Sequence, residues 1–313
     1  MVLYVPRVGP IAGERVEAWH PALAGVREVF HARFVEHAYP PHTHDAWAIL
    51  VVDEGVVAYK LDRHDHGSYR SVVSVLPPDV VHDGRSARTG GFRKQVLYLE
   101  PSVLGVERVG RAVDQPTLPD AGLVRALQAL HASLRVGGAG DSPLDPLEAE
   151  TRLAFVTEAL TAHLDRGSVR GVPLAGPPSL LPVDRPAALA AAVRDELDAH
   201  IVDGVTLAGL AGQVGTSPTH VVRSFTAAFG IPPHAYLVAR RVDLARALLL
   251  AGLPPAEVAV AAGFHDQPHL TRHFRRHVGT TPARYASTPG SPPGPAAPAG
   301  SGPRRSGPGG RGR

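Results

Sequence analysis

Two groups of side chains in this sequence have the types and spacing to do chemistry. His42 and His44 stand in HAYPPHTHDAW, and His82 follows in LPPDVVHDG. On a strand, alternation puts His42 and His44 on one side. Three imidazoles gathered there could ligate zinc or iron, hydrogen-bond a small polar molecule, or serve only the structure. Tyr39, Trp47, Tyr59 and Tyr98 are candidate pocket walls or plain core, and His42, His44, Trp47, Tyr59 and His82 form the candidate effector pocket. The second group is AGFHDQPHLTRHFRRHVGTTPARY, residues 262–285. His269, His273 and His277 recur every fourth residue on one helical face, among Arg272, Arg275 and Arg276. Cysteine is absent, which removes thiolate metal sites, disulfides and a Cys nucleophile. Without Cys or a carboxylate cluster these histidines make a poor metal site. Arginines on an exposed helical face suit phosphates and guanine edges instead.

An internal repeat organises the second group. RSFTAAFGIPPHAY, 223–236, lies over RHFRRHVGTTPARY, 272–285, at an offset of 49. The offset pairs Arg223 with Arg272, Phe225 with Phe274, Gly230 with Gly279, Pro233 with Pro282 and Tyr236 with Tyr285. Upstream, Ala211 matches Ala259 and Gly215 matches Gly263 at an offset of 48, so a loop absorbs one residue. Each copy reads as a helix-turn-helix. A short helix ends at a glycine suited to a left-handed turn. An N-cap follows, Ser217 with Pro218 or Asp266, and opens the next helix. That second helix presents Thr219, Val222 and Arg223 in the first copy, and Pro268, Thr271 and Arg272 beside His269 in the second. In a helix-turn-helix this face enters the major groove. PHAYLVARRVDLARALLLAG between the copies reads as a helix of about 18 residues, roughly 27 Å at 1.5 Å per residue. It can hold two reading helices about one DNA turn, ~34 Å, apart.

The elements that must position the first group are strands. Residues 34–100 are β-rich and punctuated by Gly and Pro, with a hairpin-like turn at Glu54-Gly55, as in an antiparallel barrel or sandwich. From Asp120 the period changes to helical, with Leu123, Leu127, Leu130 and Leu134 on one face. A second helix over 147–164 places Leu153, Val156, Leu160 and Leu164 likewise. These helices either cap the barrel or pair with a second copy of the chain. Residues 167–186 are dense in Gly and Pro and read as a linker, and 288–313 read as a disordered Pro/Gly/Arg tail. The domains expected are therefore 1–166, with the candidate effector pocket and a dimerisation surface; 167–186, linker; 187–287, DNA-binding; and 288–313, tail. The fold class is multidomain α+β, an N-terminal barrel with trailing helices and a C-terminal all-α double helix-turn-helix. Net charge is only +3 over 313 residues, but the final 27 residues carry four Arg and no acid. No apolar run reaches the roughly 18 residues that span a bilayer, and the start lacks the pattern of a signal peptide. The expectation is a cytoplasmic protein with no membrane partner.

Residues 187–287 resemble the DNA-binding domain of the AraC/XylS family of bacterial transcription regulators. The carrying residues are Ala211, Gly215, Ser217, Arg223, Phe225, Gly230, Pro233, Tyr236, the segment ARRVDLARALLLAG, and AVAAGFHDQPHLTRHFRRHVGTTPARYA. The resemblance implies base contacts at Thr219, Val222 and Arg223 in the first copy and at Gln267, His269, Thr271 and Arg272 in the second. Ser217, Arg275 and Arg276 complete the candidate DNA-binding set. Val222 is apolar where the family often has a polar residue, so the first helix either meets a thymine methyl or contributes shape. The N-terminal half resembles a cupin: H-x-H at 42–44, and Pro77, Asp79 and His82 in the pattern P-x-G-x-x-H, with Asp for Gly. The cupin glutamate would fall at Ala48 or Ile49, both apolar. No cofactor is therefore expected, and His42, His44 and His82 are the metal candidates if one binds. The family implies a non-enzymatic regulator, favouring activation. Its partners are double-stranded DNA, a small-molecule effector, a second copy in a homodimer and, for an activator, RNA polymerase. Two rivals remain: a constitutive DNA-binding protein whose barrel only dimerises, and a metal-dependent cupin enzyme fused to a DNA-binding domain.

Overall fold

The computed structural model describes residues 13–135, 146–166 and 185–287. The predicted tail and all but the last two residues of the predicted linker lie outside them. The N-terminal region is built from strands β1 (Arg15–Trp19), β2 (Val26–Phe34), β3 (Tyr39–His42), β4 (Trp47–Glu54), β5 (Val56–Leu61), β6 (His64–Tyr69), β7 (Val73–Leu76), β8 (His82–Ser86) and β9 (Phe92–Leu99). Short helices α1 (Pro101–Leu104) and α2 (Val109–Asp114) lead to β10 (Thr117–Leu118), and α3 (Ala121–Ser133) and α4 (Pro146–Arg166) follow. The strands form two antiparallel sheets, β1-β2-β9-β4-β7-β10 and β3-β8-β5-β6. Phe30, Leu50 and Val52 of the first sheet share one core with Val57, Tyr59 and Leu61 of the second, so the sheets face each other.

The expected hairpin at Glu54-Gly55 is a corner instead. β4 belongs to the first sheet and β5 to the second, so the chain crosses between layers there. Gly55, at φ +78°, turns that corner against the Gly91 carbonyl, where a Cβ would collide. The apolar run AWAILVV is explained by burial on both faces. Ala48, Leu50 and Val52 point between the sheets. Trp47, Ile49 and Val51 point outward, under α3 and α4. Leu123, Leu127, Leu130, Leu153, Val156 and Leu160 of those helices are buried against them. Asp120 caps α3, accepting from the backbone N–H groups of Gly122 and Leu123. The two helices thus cap the sheet, and the outer face of α4 leaves Leu147 and Phe155 67% and 66% exposed.

The C-terminal region is all helical: α5 (Arg185–Ala199), α6 (Leu207–Gln213), α7 (Pro218–Phe229), α8 (Pro233–Leu250), α9 (Pro255–Ala261), α10 (Gln267–Val278) and α11 (Pro282–Ala286). The sequence repeat is a structural repeat. Ser217 accepts from the His220 N–H at the start of α7, and Asp266 accepts from the His269 N–H at the start of α10. Gly230 and Gly279 close those helices in the left-handed conformation, φ 73° and 84°. Phe225, Phe274, Tyr236 and Tyr285 are fully buried. Gly215 and Gly263, φ 65° and 75°, make the two inter-helix turns.

The regions also pack together. The core between the sheets runs on without a break into α8, α10 and α11, through Val242, Leu249, Leu270 and Phe274. This junction makes the two helix-capping glycines unequal. A methyl at Gly230 meets only Val81, at 3.9 Å, whereas one at Gly279 collides with the Phe34 ring. Gly230→Ala is expected to cost about 1–2 kcal/mol for the left-handed backbone alone. Gly279→Ala should cost more and loosen the junction. Urea denaturation of both variants, with limited proteolysis between the regions, checks the order.

Candidate DNA interface and effector cavity

The reading faces are exposed. On α7, Ser217, Thr219 and Arg223 face solvent and Val222 is half-buried. On α10, Gln267, Arg272, Arg275 and Arg276 face solvent, with Thr271 and His269 half-buried. Gln267, Thr271, Arg272 and Arg275 line a shallow open cleft along α10. Among the described residues, Arg223, Arg272, Arg275 and Arg276 have no ion-pair partner, so their guanidinium groups are available to an anion. His269 is less free: its Nδ1 accepts from the His265 N–H at 3.4 Å, and its ring packs against His273 at 4.7 Å. His277 turns the other way, toward His42 of β3 at 6.0 Å. The three α10 histidines therefore do not converge.

Each copy ends on a tyrosine whose hydroxyl meets a carboxylate shared with an arginine of α8. In the first copy Tyr236 donates to Asp198 of α5 at 3.0 Å, and Arg240 donates to the same group at 3.0 Å. In the second copy Tyr285 donates to Glu28 at 2.6 Å, and Arg246 pairs with it at 2.8 Å. Glu28 belongs to β2, so the second motif is completed by a side chain of the sheet region. Arg246 also lies over the Tyr98 ring, 4.4 Å from its centre. Arg240 reaches across too, to Asp45 at 3.3 Å. Arg63 donates to the Ala227 carbonyl, which ties the first motif to the β5–β6 turn.

A cavity of about 540 Å³ lies at this junction, between His44, Asp45 and Tyr98 on one side and Arg240, Leu244 and Arg246 of α8 on the other. Its walls are mostly apolar, with Ala46, Ala247, Leu250 and Ala251 among them. The volume suits a small-molecule site. The three barrel histidines do come together: His82 stands 4.4 Å from His42 and 4.7 Å from His44, ring centre to ring centre. The Nδ1 of His42 faces the Pro40 carbonyl at 2.8 Å, and that of His82 faces Val80 at 3.0 Å. A carbonyl only accepts, so each Nδ1 carries the proton and leaves Nε2 with a lone pair. His44 has no side-chain hydrogen-bond partner among the described residues. Of the five predicted pocket residues, only His44 lines the large cavity; His42 lines a smaller crevice beside His277. Trp47 is on the wrong face: alternation along β4 turns it outward, where its Nε1 donates to the Pro101 carbonyl at 3.3 Å. Tyr59 is buried inside the barrel and stacks on His66, 5.3 Å away, at a distance from the histidine group. Asp45, next to His44, pairs with Arg27 and Arg240. Among the described residues, no group of three His, Asp or Glu is arranged to hold a metal ion. Lys94 enters the barrel interior, 4.2 Å over the Tyr39 ring, where burial pushes its pKa down to about 7.

Two family models match this chain: an AraC-like ligand binding domain over residues 25–154 and a helix-turn-helix domain over 210–288. The chain belongs to the AraC/XylS family of transcription regulators. It is similar to the HTH-type transcriptional regulator YbfI of Bacillus subtilis, 27% identical over 250 residues, which are 78% of this chain and 85% of that one. The match to the virulence regulon transcriptional activator VirF of Yersinia enterocolitica is 32% over 93 residues, 29% of this chain and 34% of VirF. Among solved structures, apo ToxT of Vibrio cholerae shares the two-part fold with a TM-score of 0.55 at 11% identity, over 90% of this chain and 99% of that one. A second ToxT structure holds an unsaturated fatty acid and superposes with a TM-score of 0.50 at 11% identity, over 88% of this chain and 96% of that one. This AraC/XylS regulator therefore couples a DNA-binding region to a ligand-binding one, and no helix among the described residues is long and apolar enough to cross a membrane.

α8 is the spacer helix that the sequence predicts. What sequence reading missed in this AraC/XylS regulator is the part played by Arg240, Asp243 and Arg246, which only the fold brings over the sheet region. Burial shifts the titration of four imidazoles and one carboxyl at the junction. It lowers His42 and His44 well below 6.5, helped by His82, and lowers His82 and His277 to about 4. The unfolded chain binds protons to these imidazoles from about pH 6.5 down and the folded chain does not, so acidification over that window destabilises the fold. Burial raises Asp243 to about 7, so this carboxyl acts in reverse and favours the folded chain below that pH. Four imidazoles outweigh one carboxyl. The urea midpoint should therefore fall between about pH 7.5 and pH 5, and Asp243→Asn should steepen that fall. Glu28→Gln, which leaves the buried Arg246 only its longer pair with Asp243 at 3.6 Å, is expected to cost up to about 3–5 kcal/mol by the same assay.

Proposed function

We propose that this chain is an effector-controlled activator of transcription whose effector occupies the cavity between the barrel and α8. The observation that carries the reading is the double duty of α8. Arg240 and Arg246 line the cavity, and the same two side chains hold the carboxylates that anchor Tyr236 and Tyr285. A ligand that competes for those guanidinium groups changes the footing of both reading helices at once. The cavity favours a mostly apolar molecule with an anionic group, which would displace Glu28 or Asp45 from arginine. The fatty acid held by ToxT has that character. Coupling requires the effector to prefer one arrangement of the junction over the other.

In this reading Thr219, Val222 and Arg223 enter one major groove and Gln267, His269, Thr271 and Arg272 the next. Ser217, Arg275 and Arg276 meet the backbone. The 18 residues of α8, about 27 Å long, keep the two helices on one side of the duplex. The exposed Leu147 and Phe155 of α4 form the contact with a second copy, and RNA polymerase in the cytoplasm is the partner that an activator requires.

Selection of bound sequences from a random duplex library with the full chain tests the DNA reading. Two enriched blocks about one turn apart are expected. Arg223→Ala should blur one and Arg272→Ala the other, each costing about 1–3 kcal/mol at specific sites. A uniform loss on all sequences would reduce either arginine to a phosphate contact. Ala247→Phe, which fills the cavity, should remove the response to effector while leaving binding to the selected site intact. Phe155→Glu should shift the chain to monomer in sedimentation velocity.

A further inference from the structure

The outer face of the six-stranded sheet carries a row of like charges. Arg15 of β1 stands directly opposite Arg33 of β2, and Arg33 directly opposite Arg93 of β9. Residues opposite one another on adjacent strands point to the same face, ~4.5–5.5 Å apart at the backbone, and like charges so placed destabilise a sheet. Arg135, just beyond α3, lines the same cleft, which has a volume of about 380 Å³.

The acids nearby do not neutralise the row. Glu17 is shared between Arg15 and Arg135. Arg93 pairs with Glu54 at 3.1 Å and Asp53 at 3.5 Å. Asp53 is further occupied by the side-chain amides of Gln95 at 3.1 Å and Gln128 at 2.9 Å. Arg33, the middle member, has no ion-pair partner among the described residues, and its buried Nε–H has no acceptor. A guanidinium held between two others, with a buried donor unmatched, is a cost to the folded chain that an anion would reverse.

We propose that this cleft binds a small phosphate-bearing molecule, with Arg33 as its central contact and Arg15, Arg93 and Arg135 around it. Planar guanidinium forks match phosphoryl oxygens in pairs, which a single carboxylate cannot do for four arginines. The site is separate from the cavity under α8, since none of its residues lines that cavity. It gives the sensor region a second input, independent of the effector site.

The test is calorimetric titration of the full chain with inorganic pyrophosphate at low ionic strength, for the natural chain, Arg33→Gln and Arg70→Gln. Arg70→Gln removes the same charge from an exposed turn elsewhere. Saturable binding with one site per chain is expected, about 10- to 100-fold weaker in Arg33→Gln and unchanged in Arg70→Gln. The ligand-free melting temperature of Arg33→Gln should hold or rise, because repulsion is relieved. No saturable binding to the natural chain, or equal weakening in the two variants, overturns the proposal. So does a lower ligand-free melting temperature in Arg33→Gln, which would mean that Arg33 has a stabilising partner.

Discussion

The second helix-turn-helix of this regulator is joined to the sheet region through one buried carboxylate, Glu28. It is 6% exposed, accepts from Tyr285 and pairs with Arg246. A charge in such a place survives only with its partners, because desolvation is repaid by the ion pair and the hydrogen bond together. Glu28 stands on β2 and its partners on α8 and α11, so none of these elements can shift alone. The first motif anchors its tyrosine on Asp198 from its own region, and meets the sheet region through Arg240 with Asp45, Arg63 with the Ala227 carbonyl, and packing at Val81. The second motif lacks that independence. Its reading helix is tied to the sensor by the need to satisfy Tyr285 and Arg246.

That asymmetry explains where the cavity lies. An apolar hollow bounded by paired arginines forms because α8 cannot lie flat on the barrel mouth while Arg240 and Arg246 reach inward to Asp45 and Glu28. The cavity and the contact between the two regions therefore share the same arginines. The histidine group beneath it stays neutral for want of solvent, and His277 of α10 packs against it as an apolar side chain would. At the junction burial keeps the imidazoles neutral, while pairing keeps Arg240, Arg246 and Asp45 charged.

Much of the fold was legible from the residues. The repeat at an offset of 49, the Ser217 and Asp266 caps and the paired Gly-Pro signals around 230–233 and 279–282 all act within a few residues of chain. They appear in the structure where they were read. The faces of α3 and α4 were legible for the same reason, since leucines at helical spacing mark the side that must be covered. The corner at Gly55 was not. A Glu-Gly step between two β-rich runs has one local conformation whether the second strand returns beside the first or crosses to another sheet, and only strand pairing decides. Trp47 was misassigned to the pocket because alternation tells which residues share a face, and not which face points inward when both are buried.

The sequence by itself determined what is local: two helix-turn-helix units, their caps, the rigid spacer between them, and the outward placement of Arg223 and Arg272. Helix geometry and capping chemistry leave little choice there. The tertiary structure alone decided what is long-range. Glu28 meets Tyr285 across 257 positions of chain, and the arginines of the outer row are separated by 18 and then 60 residues. No periodicity carries that information, because strand register and domain docking are settled by which buried groups can be satisfied together.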